Sequence, residues 1–582
     1  MKLAQLDTPG LSRGLRRSLD VLALLALAVM IAWLWPRTVA PSDLNLGHLP
    51  WWGSTRDVLL EGPDAGEWAR NIGLLANWHL DGLDHHRMPG WMLMVAAAME
   101  IEPDVVLAGH LANRALYALI GLTTYTLGRL SGGRVTGLLA AALALSVPQI
   151  MVASQRFGVD ISITAMIPTL MALTVLATRR SWLGLAAGLA AGLTAGLHYT
   201  TPPFLLPPLL VLILSGGGRP WRRVAALVLY LAGASLAVGL LLQIYPVPSW
   251  AVFVNDIANG MSPHAGGPTP EKATEVSHAL AGVQAQIVPL MRQATANAVD
   301  LVRIRAVPWP LMVALPWLGV LGLGLGEPRT GTGSWWRSLL SSTDLGAGLG
   351  LLACLAPLPV LLGVHAPERY GDNLLPVVAV LAARGAGSLV ATVEALARVA
   401  LHRWPRGPLR ALVLAPLALV ALHDKADLRT LPPPSASDLG ARLLADALRD
   451  RFPPGTGVAS PIREALVLAG LSYCPQTVCP TQATEDHFRR CMKVLASQCK
   501  GDGLVGYVST SATSFYDPNA RRLEMDAWVA AQAEPTVTVD FRDFHARVYE
   551  LERPYLAPGE DPLAGMPPPG ARADGSVPPP PR

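Results

Sequence analysis

Four charged or aromatic groupings, spread over residues 62–376, have side chains suited to chemistry on a lipid-linked substrate. Asp64 and Glu67 stand in GPDAGEWARN (62–71), and Arg87 follows in HHRMPGW (85–91). Arg156 and Asp160 share RFGVD, and Arg369 and Tyr370 lie in ERYGDNLLP (368–376). A carboxylate can take a proton from a hydroxyl within hydrogen-bond reach. Fixed guanidinium groups suit a phosphate and stabilise negative charge that grows during a reaction. Each residue also has a plain structural reading. Asp64-x-x-Glu67 behind Pro63 fits a capping box, with Asp64 as N-cap and Glu67 at N3. Arg87, Arg156 and Arg369 fit interfacial anchors at the ends of membrane spans. Asp160 fits either a second functional carboxylate or the ion-pair partner of Arg156.

What positions these residues is a membrane. The 582 residues are 51% hydrophobic and only 15% charged, well below the ~25% of soluble domains. Mean hydropathy is +0.36. Runs near the ~20 apolar residues needed to cross a bilayer predict eleven spans: 19–35, 105–127, 135–153, 161–177, 182–198, 202–215, 224–244, 308–326, 345–364, 373–393 and 409–423. The first lacks a small-residue cleavage site and reads as a retained anchor. With the N-terminus inside, every inner connection is basic: Arg129 and Arg134; Arg179 and Arg180; Arg219, Arg222 and Arg223; Arg329 and Arg337; Arg398, Arg403, Arg406 and Arg410. That is the positive-inside bias, and it puts all the motifs above on the outer face.

The expected organisation is a transmembrane domain over 1–423 with outer loops at 36–103 and 245–307, a soluble α/β domain over 424–553, and a disordered Pro-rich tail over 554–582. Residues 437–451 have helical periodicity, and 503–509, 535–541 and 546–551 read as strands. Cys474, Cys479, Cys491 and Cys499 lack zinc-type C-x2-C spacing, and their outer location makes two disulfides the expected reading. His85, His86, His264, His278 and His365 are all expected outside, but their spacing encodes no ligand pattern, so no metal site is assigned, with a divalent ion left as an option. Arg114 and Arg384 fall inside spans and should face protein rather than lipid. The five lysines among 46 basic residues point to a GC-rich bacterial genome, and hence to a bacterial inner membrane with a periplasmic C-terminal domain.

In order and topology the motifs resemble the GT-C-fold glycosyltransferases that use polyprenyl-phosphate sugars, in the branch of protein O-mannosyltransferases and aminoarabinose transferases. The resemblance covers roughly 19–395. It departs from the family pattern in two places: the acidic pair is spread over four positions, and Arg87-Met88-Pro89 stands where Lys-Pro-Pro is common. The resemblance implies that Asp64 is the general base, that Asp160 is a second catalytic carboxylate, and that Glu67 has a supporting role. It implies that Arg87, Arg156, Arg369 and Tyr370 hold the lipid phosphate. The implied reaction is inverting transfer of a sugar from a polyprenyl-phosphate donor to a glycan, lipid or protein acceptor, with membrane lipid as a partner and no nucleic acid. Two other classes fit the sequence: a transporter or flippase of a lipid-linked substrate, and an inactive GT-C-like protein that assembles envelope components.

Overall fold

The computed structural model describes residues 13–35, 60, 63–80, 83, 88–198, 201–214, 220–244, 373–401, 418–419, 436–474, 504–510 and 519–551. The chain divides into two compact units: residues 1–57 with 71–432, and residues 58–70 with 433–582. Of the expected spans, 308–326 and 345–364 lie outside the described residues, as does nearly all of 409–423.

The first unit is helical: α1 (Arg13–Trp33), the later turns of α2 (Pro63–Ala76), α3 (Pro89–Ala98), α4 (Val105–Gly132), α5 (Arg134–Leu145), α6 (Pro148–Gln155), α7 (Asp160–Ala177), α8 (Leu183–Ala195), a 3-10 turn (Pro202–Leu205), α9 (Leu206–Leu214), α10 (Pro220–Ile244) and α11 (Leu375–Leu401). Among the described residues three helices are long and apolar enough to cross a membrane, at 105–130, 160–177 and 220–244, and the bent pair α5–α6 makes a fourth. Helix α4 is the hub, packing against α1, α3, α5, α6, α7 and α11. Asp104 caps it, accepting from the backbone N–H groups of Val106 and Leu107 at 2.8 and 3.0 Å.

Three expected spans change form, and 202–215 among them is a four-residue 3-10 turn followed by the nine-residue α9. The continuous helix expected over 135–153 is broken into α5 and α6, which meet at 63°. Pro148 is the cause, because it has no N–H to donate back and its ring crowds the preceding turn. In an apolar medium the carbonyls freed by such a break must find internal partners, and Tyr117 of α4 donates its hydroxyl to the Leu145 carbonyl at 2.9 Å. The span expected over 182–198 is a 13-residue helix, α8. Its glycines recur every fourth residue, at 184, 188 and 192, and put bare backbone against α10. A methyl at Gly184 would strike the Ala226 carbonyl, and one at Gly188 the Tyr230 carbonyl. This is the small-residue stripe by which membrane helices approach closely.

Arg114 and Arg384 are buried in protein, as their place within spans requires. At the end of α1, α4 and α5 carrying the basic connection, Asp20 meets Arg129 at 2.7 Å and Arg134 at 2.6 Å. One carboxylate thus ties three helices together.

In the second unit, α12 (Ala436–Arg451), β1 (Gly457–Ala459), α13 (Arg463–Ala469), β2 (Ser472–Cys474), β3 (Leu504–Thr510), α14 (Asn519–Gln532), β4 (Val537–Phe541) and β5 (Phe544–Glu550) form an α/β layer. The sheet order is β2-β1-β3-β5-β4. Strands β2, β1 and β3 run parallel, while β5 is antiparallel to both β3 and β4. Leu444, Leu448 and Phe452 of the α12 region bury against Val458, Val508, Phe544 and Val548. The side chain of Cys474, together with Cys479, Cys491 and Cys499, lies outside the described residues.

The α8–α10 contact gives a direct test. Gly188→Leu places a side chain where the Tyr230 carbonyl sits and should lower the melting temperature in detergent by the equivalent of at least ~1–3 kcal/mol. Gly239→Ala, with nothing within 4 Å of the added carbon, should leave it unchanged or raised.

Candidate functional site

Three of the motifs meet within the first unit. In RMPGW, Met88 precedes α3 in an extended conformation and Pro89 opens the helix, a position where its missing N–H costs nothing. The turn holds Trp91 fully buried. The Trp91 indole Nε1 donates to Asn113 Oδ1 at 2.9 Å, and the Asn113 amide Nδ2 donates to the Arg156 carbonyl at 2.7 Å. One side chain on α4 therefore joins the RMPGW segment to RFGVD. Phe157 adds an apolar clasp, meeting Trp91 edge-on at 5.1 Å between ring centroids. It lies so close to Gly109 that a Cβ there would strike its ring. Gly90 donates its N–H to the Gly196 carbonyl at 2.8 Å, and any Cβ at Gly90 would come within 2.6 Å of that oxygen.

The second link joins RFGVD to the late motif. Asp160 is the first residue of α7, where the aligned peptide dipoles favour a carboxylate. Thr164, one turn along, donates to Asn373 Oδ1 at 2.7 Å, a buried contact across 209 residues of sequence. Asn373 belongs to ERYGDNLLP and stands two residues before Leu375, where the helix begins. The start of α11 is thereby held against the start of α7.

Within this arrangement Arg156 is exposed at the end of α6, while Asp160 is half-buried. Both take part in polar or electrostatic contacts. Between the α6 terminus and α7, Phe157 and Val159 are buried, so the apolar residues of the motif anchor the loop that carries the two charged ones. Arg87, Arg369 and Tyr370, and all five histidines expected outside, lie outside the described residues.

The acidic motif is seen in α2, which runs through the division between the units at Arg70 and Asn71. The helix begins at Pro63, so Asp64 stands inside it rather than at the N-cap. The expected capping register is thus moved by two residues, with Pro occupying the first helical position it favours. Glu67 is half-buried and engaged in a contact, with Ala65 and Trp68 buried beside it. Among the described residues no group of three or more His, Cys, Asp or Glu could hold a metal ion.

The residues that join the motifs, Trp91, Asn113, Thr164 and Asn373, were not singled out in the sequence. Two of them sat inside quoted motifs. Asn113 and Thr164 had one signal, a polar side chain within an apolar span.

Comparison with known proteins agrees with this frame. Residues 84–250 match the family model of dolichyl-phosphate-mannose-protein mannosyltransferase. No curated protein matches the chain by sequence. The fold is similar to that of the Archaeoglobus fulgidus oligosaccharyltransferase, solved with a tethered acceptor peptide, at 14% identity and a TM-score of 0.51, covering 84% of this chain and 69% of that one. ArnT from Cupriavidus metallidurans, solved bound to undecaprenyl phosphate, aligns over 93% of this chain and 98% of its own at 15% identity and a TM-score of 0.43. The mycobacterial arabinofuranosyltransferase AftD aligns over 86% of this chain and 37% of its own at 16% identity and a TM-score of 0.42. The fold is thus similar to that of a solved oligosaccharyltransferase, and residues 84–250 carry the pattern of the mannosyltransferase family model.

The Asn113 bridge predicts coupled losses. Asn113→Leu strands the Trp91 N–H and the Arg156 carbonyl, at about 1–3 kcal/mol for each buried unpaired group, and should lower the melting temperature in detergent. Trp91→Phe keeps the ring against Phe157 and should cost less. In a double-mutant cycle the two losses should be non-additive, and strict additivity would show that the bridge carries no energy.

Proposed function

We propose that the protein transfers a sugar from a polyprenyl-phosphate donor to an acceptor hydroxyl on the outer face of the membrane, with inversion at the anomeric carbon. The observation that carries this reading is the joining of RMPGW, RFGVD and ERYGDN through Asn113 and Thr164. The matching family model adds support, since its name specifies a sugar carried on a lipid phosphate. The basic connections between spans support the outer-face assignment, and with it a periplasmic C-terminal unit in a bacterial inner membrane.

In the proposed reaction Asp64 takes the proton from the acceptor hydroxyl. The freed oxygen attacks the anomeric carbon from the side opposite the phosphate. A new carbon–oxygen bond forms as the bond from that carbon to the phosphate oxygen breaks, and the electron pair leaves on polyprenyl phosphate. Arg87, Arg156 and Arg369 neutralise the charge that grows there, and the Tyr370 hydroxyl donates to a phosphate oxygen. Because phosphate is a competent leaving group, no general acid is required. Asp160, fixed at the start of α7, orients the donor, and Glu67 supports the base from the same helix.

The mannosyltransferase family model over residues 84–250 favours this reading over a transporter. In liposomes holding the purified protein, release of polyprenyl phosphate from its mannosyl derivative should fall at least ~100-fold in Asp64→Asn, with unchanged gel-filtration behaviour. A variant that keeps wild-type turnover would remove Asp64 from the base role.

A further inference from the structure

Gln155 closes α6, directly before Arg156. Its side chain is fully buried. Neither its amide nitrogen nor its amide oxygen has a hydrogen-bond partner among the described residues. An amide offers two donors and an acceptor, and enclosing all of them without partners is costly, more so in the low-dielectric interior of a membrane protein. The neighbours make this conspicuous. Asn113 is satisfied on both sides, by the Trp91 indole and by the carbonyl of the very next residue, Arg156. Ser154 satisfies itself on the Met151 carbonyl at 2.7 Å. The Asn113 bond also pins the Arg156–Phe157 peptide, which holds the chain just beyond Gln155 in place.

A group this costly in the resting protein is explained if a ligand supplies its partners. The chemistry that fits is a hydroxyl, which accepts from the amide nitrogen and donates to the amide oxygen at once. We propose that Gln155 is a donor-binding residue that reads a sugar hydroxyl, seated one residue from the exposed Arg156 assigned to the lipid phosphate. The inference rests on the lipid-phosphate donor reading above. Geometrically, a phosphate contact and a sugar contact from adjacent residues match the order of groups in such a donor, where the phosphate is bonded directly to the sugar. Gln155 takes no part in bond making. It fixes which way the sugar faces.

The experiment measures thermal shifts of the full-length protein in detergent with two probes, undecaprenyl phosphate and undecaprenyl-phosphate-mannose, for wild type, Gln155→Met and Gln155→Glu. Wild type should be stabilised by the bare lipid phosphate and more strongly by the mannosyl lipid. Gln155→Met should melt at or up to ~2–4 °C above wild type without ligand, because it removes unsatisfied polar atoms. It should keep the shift from the bare lipid phosphate and lose the extra shift from the sugar, with apparent affinity for the mannosyl lipid about tenfold weaker. Gln155→Glu, which keeps an acceptor of the same shape, should retain part of that extra shift. Equal extra shifts in Gln155→Met and wild type would overturn the assignment of Gln155, as would a ligand-free loss of stability in both variants, which marks a structural amide. Equal wild-type shifts with both lipids would likewise overturn it. A wild type that responds to neither lipid refutes the donor reading, and the assignment falls with it.

Discussion

The membrane unit is organised by one constraint: polar groups released inside an apolar medium must be satisfied by protein. Three breaks in regular helix occur where the motifs lie, and a side chain from another segment closes each. Tyr117 takes the Leu145 carbonyl at the Pro148 break. Asn113 takes the Arg156 carbonyl at the end of α6. Thr164 takes the side chain of Asn373 just before α11. Because Tyr117 and Asn113 both project from α4, that helix sets the positions of α6, the RFGVD loop and the RMPGW turn together. Arg156 and Asp160, both proposed to work on the substrate, are therefore carried at a turn whose geometry is fixed from behind.

This division of labour accounts for the composition of the motifs. In RFGVD the apolar Phe157 and Val159 are buried and hold the loop, leaving Arg156 exposed and Asp160 at a helix start. In RMPGW the tryptophan is buried and engaged in a hydrogen bond, and the proline begins a helix. Glycine lets backbone and ring come close at Gly109 under Phe157 and at Gly90 on the Gly196 carbonyl. Gln155 breaks the pattern, as a buried amide that the fold leaves unsatisfied.

Much of this was legible in the sequence, because hydropathy and charge report directly on membrane crossing. The helices at 105–132, 160–177 and 220–244 appear close to the expected spans, and so do the helix at 436–451 and the three later strands. The break at Pro148 was missed because the run around it stays apolar on both sides, and hydropathy does not register a lost N–H. The close packing of α8 on α10 was written in glycines four residues apart, a signal that a hydropathy reading passes over. Strands β1 and β2 are three residues each, too short to show alternation. In the site, charged residues stand out in a sequence while the neutral bridges do not. Asn113 and Thr164 acquire meaning only when their distant partners are known.

The central claim is that RMPGW, RFGVD and ERYGDN form one donor site around the α6–α7 turn. A cryo-electron-microscopy structure with undecaprenyl-phosphate-mannose bound tests it most directly. The account predicts the lipid phosphate beside the Arg156 guanidinium and the mannosyl ring turned toward Gln155, with the Asn113 and Thr164 bridges intact. A phosphate bound away from the α6–α7 turn, with that turn unchanged from the free protein, would contradict it.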